Sequence, residues 1–245
     1  MDVSSWLLAL FFFAFAALYA SVGHAGATAY LAAMALFDVS PSIMRPTALV
    51  LNMLVAGVGS YKYLRAGCFS WQKFWPFALT SIPMAYLGGR IHLPLRAFEL
   101  LLGIVLLFAA LRLLARPRQM GEKDLRPFSL PWALWLGAII GFLSGLVGIG
   151  GGVFLSPVLI FLRWEEPRRV LGIASLFILV NSLSGFLGLL SSAPALPAAL
   201  PLWGAGVILG GWIGAEMGSK RLSAAGIQRA LGVVLIIAAL RALLS

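Results

Sequence analysis

The segment GLVGIGGGVFLSP, Gly145 to Pro157, decides how this chain is built. Four glycines in five positions, Gly148, Gly150, Gly151 and Gly152, interrupt an otherwise apolar run. Glycine lets the backbone turn without Cβ clashes and come close to a ligand. The apolar stretch before the break, 132–148, has the length of a membrane span. The one after it, 153–163, has only 11 residues, roughly 16 Å of helix at 1.5 Å per residue. Backbone left unpaired in a membrane must line a cavity or be buried in protein. The spacing therefore predicts a discontinuous helix or a re-entrant hairpin.

The rest of the chain provides the membrane context. Sixty-one per cent of the 245 residues are hydrophobic, 11% are charged, and the mean hydropathy is +0.99. A soluble domain carries roughly 25% charged residues. Here the charges cluster between apolar stretches of about 17–20 residues, the length that crosses a ~30 Å hydrocarbon core. The net charge of +10 does not point to nucleic acid, because the basic residues lie in loops beside apolar segments. Cys68 is the only cysteine, which excludes an intrachain disulfide and a thiolate metal cluster. The first apolar stretch lacks a basic leader, with Asp2 the only nearby charge, and is expected to be retained.

Ten apolar segments can be marked, at 4–22, 27–37, 46–64, 74–90 and 96–114, then at 132–148, 153–163, 170–190, 201–217 and 225–244. The two sets look like copies. LGIVLLFAALRLL (102–114) matches LGVVLIIAALRALL (231–244), with Gly103 over Gly232 and Arg112 over Arg241. SVGHAG (21–26) lies over LVGIGG (146–151), and Asn52 over Asn181. The expected division is a first repeat over 1–114, a cytoplasmic linker over 115–131 and a second repeat over 132–245.

Lysine and arginine set the orientation. Lys62, Arg65 and Lys73 place the 65–73 loop inside, whereas the corresponding uncharged loop SSAPALPAAL belongs outside. Equivalent loops on opposite sides mean an inverted repeat. Arg116, Arg118, Lys123, Arg126, Arg168, Arg169, Lys220 and Arg221 agree, and Arg90 and Arg96 are the exceptions. The fold class expected is all-α: a polytopic protein of the cell inner membrane with eight to ten segments in two inverted repeats and glycine-broken helices.

Candidate site residues follow from the breaks. A helix start presents free N–H groups and the positive end of its dipole, which suits an anion. The second break offers Gly148, Gly150, Gly151 and Gly152. The first, GHAGAT, offers Gly23, Gly26 and the hydroxyl of Thr28. Close helix packing is the competing account of these glycines, and Gly141 and Gly145 fit its spacing. Asn52 and Asn181 lie within apolar segments, where an amide either bonds a neighbouring helix or binds the anion. Thr47 and Ser175 precede them and offer a hydroxyl, or else bond back to their own helix. His24 has three readings: donor to an anion, carrier of a coupling proton, or a buried ring held by a carbonyl. Arg45 and Arg169 precede equivalent segments and either draw anions to the mouths or snorkel to the interface. Glu216 is accounted for by Lys220 at i+4.

The glycine break followed by Ser156-Pro157, its degenerate copy around Gly23–Gly26 and the two-half layout resemble the sulfite exporter family, TauE/SafE, across essentially the whole chain. His24 and Ala25 stand where the family's glycine-rich form would have glycines. The resemblance implies a secondary transporter, in the exporting direction, of small sulfur-containing anions such as sulfite, sulfoacetate or related organosulfonates. Alternating access around a midplane site is the expected mechanism, and the expected partners are a small anionic substrate and the lipid bilayer. A homodimer is left open. No GxxxxGK[ST], HExxH or cysteine–histidine set is present, so no ATPase, metal site, cofactor or catalytic residue is expected. The alternatives are a membrane-embedded assembly or scaffold protein without transport activity and, with less support, a cation permease, since Asp38, Glu99 and Glu216 all lie near segment ends.

Overall fold

The computed structural model describes residues 3–114, 125–192 and 194–220, together with Ile236, Ala239, Leu240 and Leu243. Most of the tenth segment, residues 115–124 of the linker, and Arg116, Arg118, Lys123 and Arg221 lie outside the described residues.

Among the described residues the protein is all-helical, with α1 (Val3–Ala20), α2 (Ala27–Leu36), α3 (Pro41–Arg65), α4 (Trp71–Arg90), α5 (Leu95–Leu114), α6 (Leu130–Val147), α7 (Gly152–Phe161), α8 (Pro167–Leu189) and α9 (Leu200–Ser219). A single 3-10 turn, Leu190–Ser192, extends α8. Three stretches, Pro41–Arg65, Leu130–Val147 and Pro167–Ser192, are long and apolar enough to cross a membrane. Helices α4, α5 and α9 have 20 residues each, about 30 Å at 1.5 Å per residue. The short segments are confirmed as half-length helices: α2 and α7 have 10 residues each, about 15 Å.

The two half-helices share the same local backbone features. Helix α2 starts after Gly26 at φ 102° and α7 after Gly151 at φ 80°, in the left-handed region that glycine reaches without penalty. Each half-helix is followed by a non-glycine residue at φ 55°, Asp38 in one case and Arg163 in the other. The next helix then starts from an extended residue and a proline: Ser40 (φ −64°, ψ 142°) with Pro41, and Glu166 (φ −66°, ψ 142°) with Pro167. Proline suits a first helical turn because that turn needs no N–H donor.

Two parallel helix pairs frame these hairpins. In one, Gly137, Gly141 and Gly145 of α6 lie on the backbone of Phe77, Ser81 and Ala85 of α4. In the other, Gly206, Gly210 and Gly214 of α9 lie on Ala9, Phe13 and Ala17 of α1, and Gly218 lies on Ser21 just after it. A glycine every fourth residue lets two backbones meet, and van der Waals packing rather than the hydrophobic effect holds helices together in lipid. Packing is thus the role of Gly141 and Gly145.

Helices α3 and α8 cross antiparallel at the centre, with Asn52 beside Ser182 and Gly59 beside the Ser175 hydroxyl. The buried Tyr63 hydroxyl of α3 donates to Ala20 O at the end of α1 (2.6 Å). Tyr63→Phe removes that donor and is expected to cost about 1 kcal/mol, measurable as a lower melting temperature of the purified protein in detergent. Glu216 pairs with Lys220 at 2.8 Å, and also with Lys62 of α3, so the i+4 pairing expected from the sequence is extended to a second helix.

Candidate functional site

The two half-helices begin deep in the protein. Neither start has a side-chain cap, and the first N–H groups of any helix have no acceptor within it. The first break meets α8 of the other half at Gly23, whereas the second is lined mainly by α8 and α6 of its own half, with Arg45 and Asn52 of α3 reaching it from the other.

At the second break, Gly150 lies against α3 and α8. A Cβ there would be 2.7 Å from Ser182 Oγ and 3.1 Å from Asn52 Nδ2. Gly151 is walled by Phe177 and Ile140, with the Cβ of Ser144 behind them. The Asn52 amide reaches Ser182 Oγ only at 3.5 Å, the outer limit of a hydrogen bond, and its Oδ1 has no partner among the described residues. The interhelical bond expected of Asn52 is therefore a weak one. Gly148 is covered by the side chain of Arg45.

At the first break, Ser175 Oγ of α8 donates to Gly23 O (3.0 Å), so this hydroxyl ties α8 to the break. Thr28 is committed to Tyr19, hydroxyl to hydroxyl at 2.8 Å. Gly26 lies beneath the ring of Tyr30, whose hydroxyl donates to Ala25 O (2.6 Å).

His24 joins the two breaks. Its Nδ1 is 2.8 Å from Val22 O, which requires Nδ1–H as the donor. Its Nε2 lies 3.1 Å from Gly152 O and 3.2 Å from Ser156 Oγ, both on α7. A neutral ring accepts at Nε2 from the serine hydroxyl. A doubly protonated ring donates there to the glycine carbonyl. The ring thus meets a carbonyl on each side, and its partners can follow a change in protonation.

Two further candidates fall differently. Asn181 donates to Phe177 O one turn back on its own helix (2.8 Å), leaving its Oδ1 unpartnered among the described residues. Thr47 is fully buried and its hydroxyl also has no partner among them. The structure therefore joins His24 with Gly152, Gly150 with Asn52 and Gly23 with Ser175, while Thr28 is turned to a tyrosine and Asn181 to its own helix.

Three expectations need correction. Breaks lining a solvent-accessible cavity were the expectation for a transporter and breaks packed tightly in protein the expectation for a scaffold; Gly23, Gly26, Gly148, Gly150, Gly151 and Gly152 are all buried, the packing expected of the scaffold. The crossing helices α3 and α8 pack directly on the glycines: the backbone of Leu171 on Gly23, the side chain of Arg45 on Gly148 and that of Ile178 on Gly150 and Gly152. A cavity of about 370 Å³ lies between the starts of α3 and α5 and the end of α8. Arg45 is neither snorkelling nor free at a mouth. It is 6% exposed and donates through Nε to Gly145 O, through Nη1 to Ile91 O and through Nη2 to Gly88, Gly89 and Gly145 O. These carbonyls belong to the C-terminal ends of α4 and α6, where helix dipoles favour a cation. Finally, the case against a cation permease rested on Asp38, Glu99 and Glu216 and left out Glu165 of the α7–α8 loop, a buried carboxylate that accepts from Glu166 N–H at 3.0 Å.

Ser144, Ser156 and Ser182 were not among the candidate site residues. Ser144 and Ser156 adjoin the second break in sequence, whereas only the packing of α8 brings Ser182 to Gly150. No group of three or more metal-ligating side chains occurs among the described residues.

Comparison with known proteins gives the family. The family model described as "Sulfite exporter TauE/SafE" matches residues 7–242. The chain is 40% identical to the probable membrane transporter protein y4hK of Sinorhizobium fredii, covering 99% of this chain and 100% of that one. It is 27% identical to the probable membrane transporter protein YjnA of Bacillus subtilis over 98% and 99% of the two chains. No solved structure matches.

Proposed function

The chain belongs to the sulfite exporter TauE/SafE family, a family of multi-pass membrane transporters and not of enzymes, and from that premise we propose that it exports small sulfur-containing anions through a midplane site between its two breaks. The observation that carries the reading is the setting of Gly150: an uncapped helix start walled by the poorly bonded amide of Asn52 and the hydroxyl of Ser182. An uncapped N-terminus attracts an anion through its N–H groups and dipole without any full positive charge.

The matching hairpins support a division into two inverted repeats, 1–114 and 132–245, joined by a linker over 115–131. With the Lys62–Lys73 loop inside, α4 and α6 run outward whereas α1 and α9 run inward. The two glycine-stacked pairs are then upside-down counterparts. With the breaks buried, this conformation is an occluded stage of an alternating-access cycle, and the swing of one repeat about the α3–α8 crossing would expose the site to each side in turn. An inside-negative membrane potential favours outward movement of each negative charge by about 2.3 kcal/mol per 100 mV. His24, bonded to both breaks, is the group suited to couple a proton to that movement.

The test is flux of sulfite, sulfoacetate and chloride from proteoliposomes under an imposed potential. Flux of a sulfur oxyanion is expected to exceed that of chloride and to fall in Gly151→Ala, which forces an alanine into the left-handed region at the helix start. No flux of any of the three anions, from folded protein inserted in both orientations, would return the assignment to a scaffold role.

A further inference from the structure

The cavity beside Arg45 has no place in the midplane mechanism, yet it has the composition of an anion site. Arg45, Ser42, His92 and Ser192 are among its polar lining residues and Leu189 and Phe98 among its apolar ones; the Ser42 and Ser192 hydroxyls already bond Ser40 and Leu189 O, so Arg45 carries the site's charge. Its volume, about 370 Å³, falls at the small end of ligand pockets, which run from about 300 to 1,000 Å³.

The charge balance of Arg45 is the telling feature. Its five hydrogen bonds all go to backbone carbonyls, and no carboxylate pairs with it among the described residues. Carbonyl dipoles solvate a guanidinium but do not cancel its charge, and a buried uncompensated charge is costly unless a counter-ion joins it. Among the described residues Nη1 makes a single bond, to Ile91 O, although it carries two hydrogens, which leaves one N–H for a ligand. The same side chain covers Gly148 of the second break, so an anion in this cavity would be one side chain away from the break.

We propose that this cavity is a second anion site, at the outer mouth, for a small organic monoanion whose charged head meets Arg45 and whose apolar tail lies along Leu189 and Phe98. Assigning it to the transport path rests on the proposed function. The binding itself does not.

The probes are butanesulfonate, methanesulfonate and the neutral butyramide, titrated calorimetrically into the purified full chain in nanodiscs. Butanesulfonate is expected to bind about tenfold more tightly than butyramide, from the charge, and about tenfold more tightly than methanesulfonate, from the tail. Arg45→Gln also removes the clamp on α4 and α6 and can fail to fold. The decisive pair is therefore Ala195→Glu and Ala195→Arg, at an exposed loop residue on the cavity rim. The glutamate is expected to weaken butanesulfonate about fivefold or more, and the arginine to preserve or tighten it. Equal binding of butanesulfonate and butyramide, or equal effects of the two Ala195 variants, overturns the proposal. Sulfite flux with no butanesulfonate binding also overturns it while leaving transport intact. Butanesulfonate binding that survives in Gly151→Ala after flux is lost supports it.

Discussion

Gly145→Leu is expected to abolish the folded protein. A Cβ at this position would fall on Ala85 O, closer than non-bonded atoms approach, with Ala85 Cα 2.9 Å away. The obstruction is backbone, so no side-chain rotation relieves it, and α4 and α6 would have to separate. Overpacking a core ordinarily costs about 1–3 kcal/mol. Here separation also pulls Gly145 O away from Arg45 Nε and Nη2, breaking two bonds of a buried cation. Hydrogen bonds to charged groups contribute about 1.5–3 kcal/mol each, so the combined loss is comparable with the whole stability of an ordinary domain, about 5–15 kcal/mol. Size-exclusion chromatography of the detergent extract provides the check: a monodisperse peak from Gly145→Leu would refute the packing argument. Gly57→Leu is the control, because a Cβ at Gly57 meets nothing within 4 Å. It is expected to change stability by no more than about 0.5 kcal/mol.

Asn52→Leu is expected to separate function from stability. Asn52 is fully buried, and among the described residues its amide has only the 3.5 Å contact with Ser182 and its Oδ1 has no partner. An unsatisfied buried polar atom costs about 1–3 kcal/mol, whereas an apolar group of similar shape avoids that cost. The melting temperature should therefore hold or rise. If the amide serves the anion beside Gly150, flux should drop by about tenfold or more, the equivalent of losing one interaction of about 1.4 kcal/mol. Unchanged flux with an unchanged melting temperature would remove Asn52 from the site and leave it an unsatisfied amide with no transport role.

Much of the architecture was legible in the chain. Apolar segment lengths, read against bilayer thickness, placed nine helices to within a few residues, and the glycine run placed the half-helix after it. The register of SVGHAG over LVGIGG reappears as matched left-handed glycines at Gly23 and Gly148 and at Gly26 and Gly151. Both signals are local, because segment length and glycine content act on the backbone where they occur.

The partners of the polar side chains were not legible. Sequence spacing places Asn52 and Asn181 at equivalent positions, yet one faces Gly150 and the other bonds Phe177 on its own helix. Arg45 looked like a residue of the membrane surface. Only the convergence of the ends of α4 and α6, more than 40 and 100 residues further along the chain, supplies the carbonyls that bury it. Hydropathy, glycine spacing and loop charge were enough by themselves to determine a membrane protein of broken and spanning helices. The tertiary structure decided which break meets which helix, which hydroxyls are already engaged and where the cavity lies. The physical reason is that a hydrogen bond or a cavity depends on two or more distant segments meeting at ångström precision, and periodicity along one segment carries no record of that meeting.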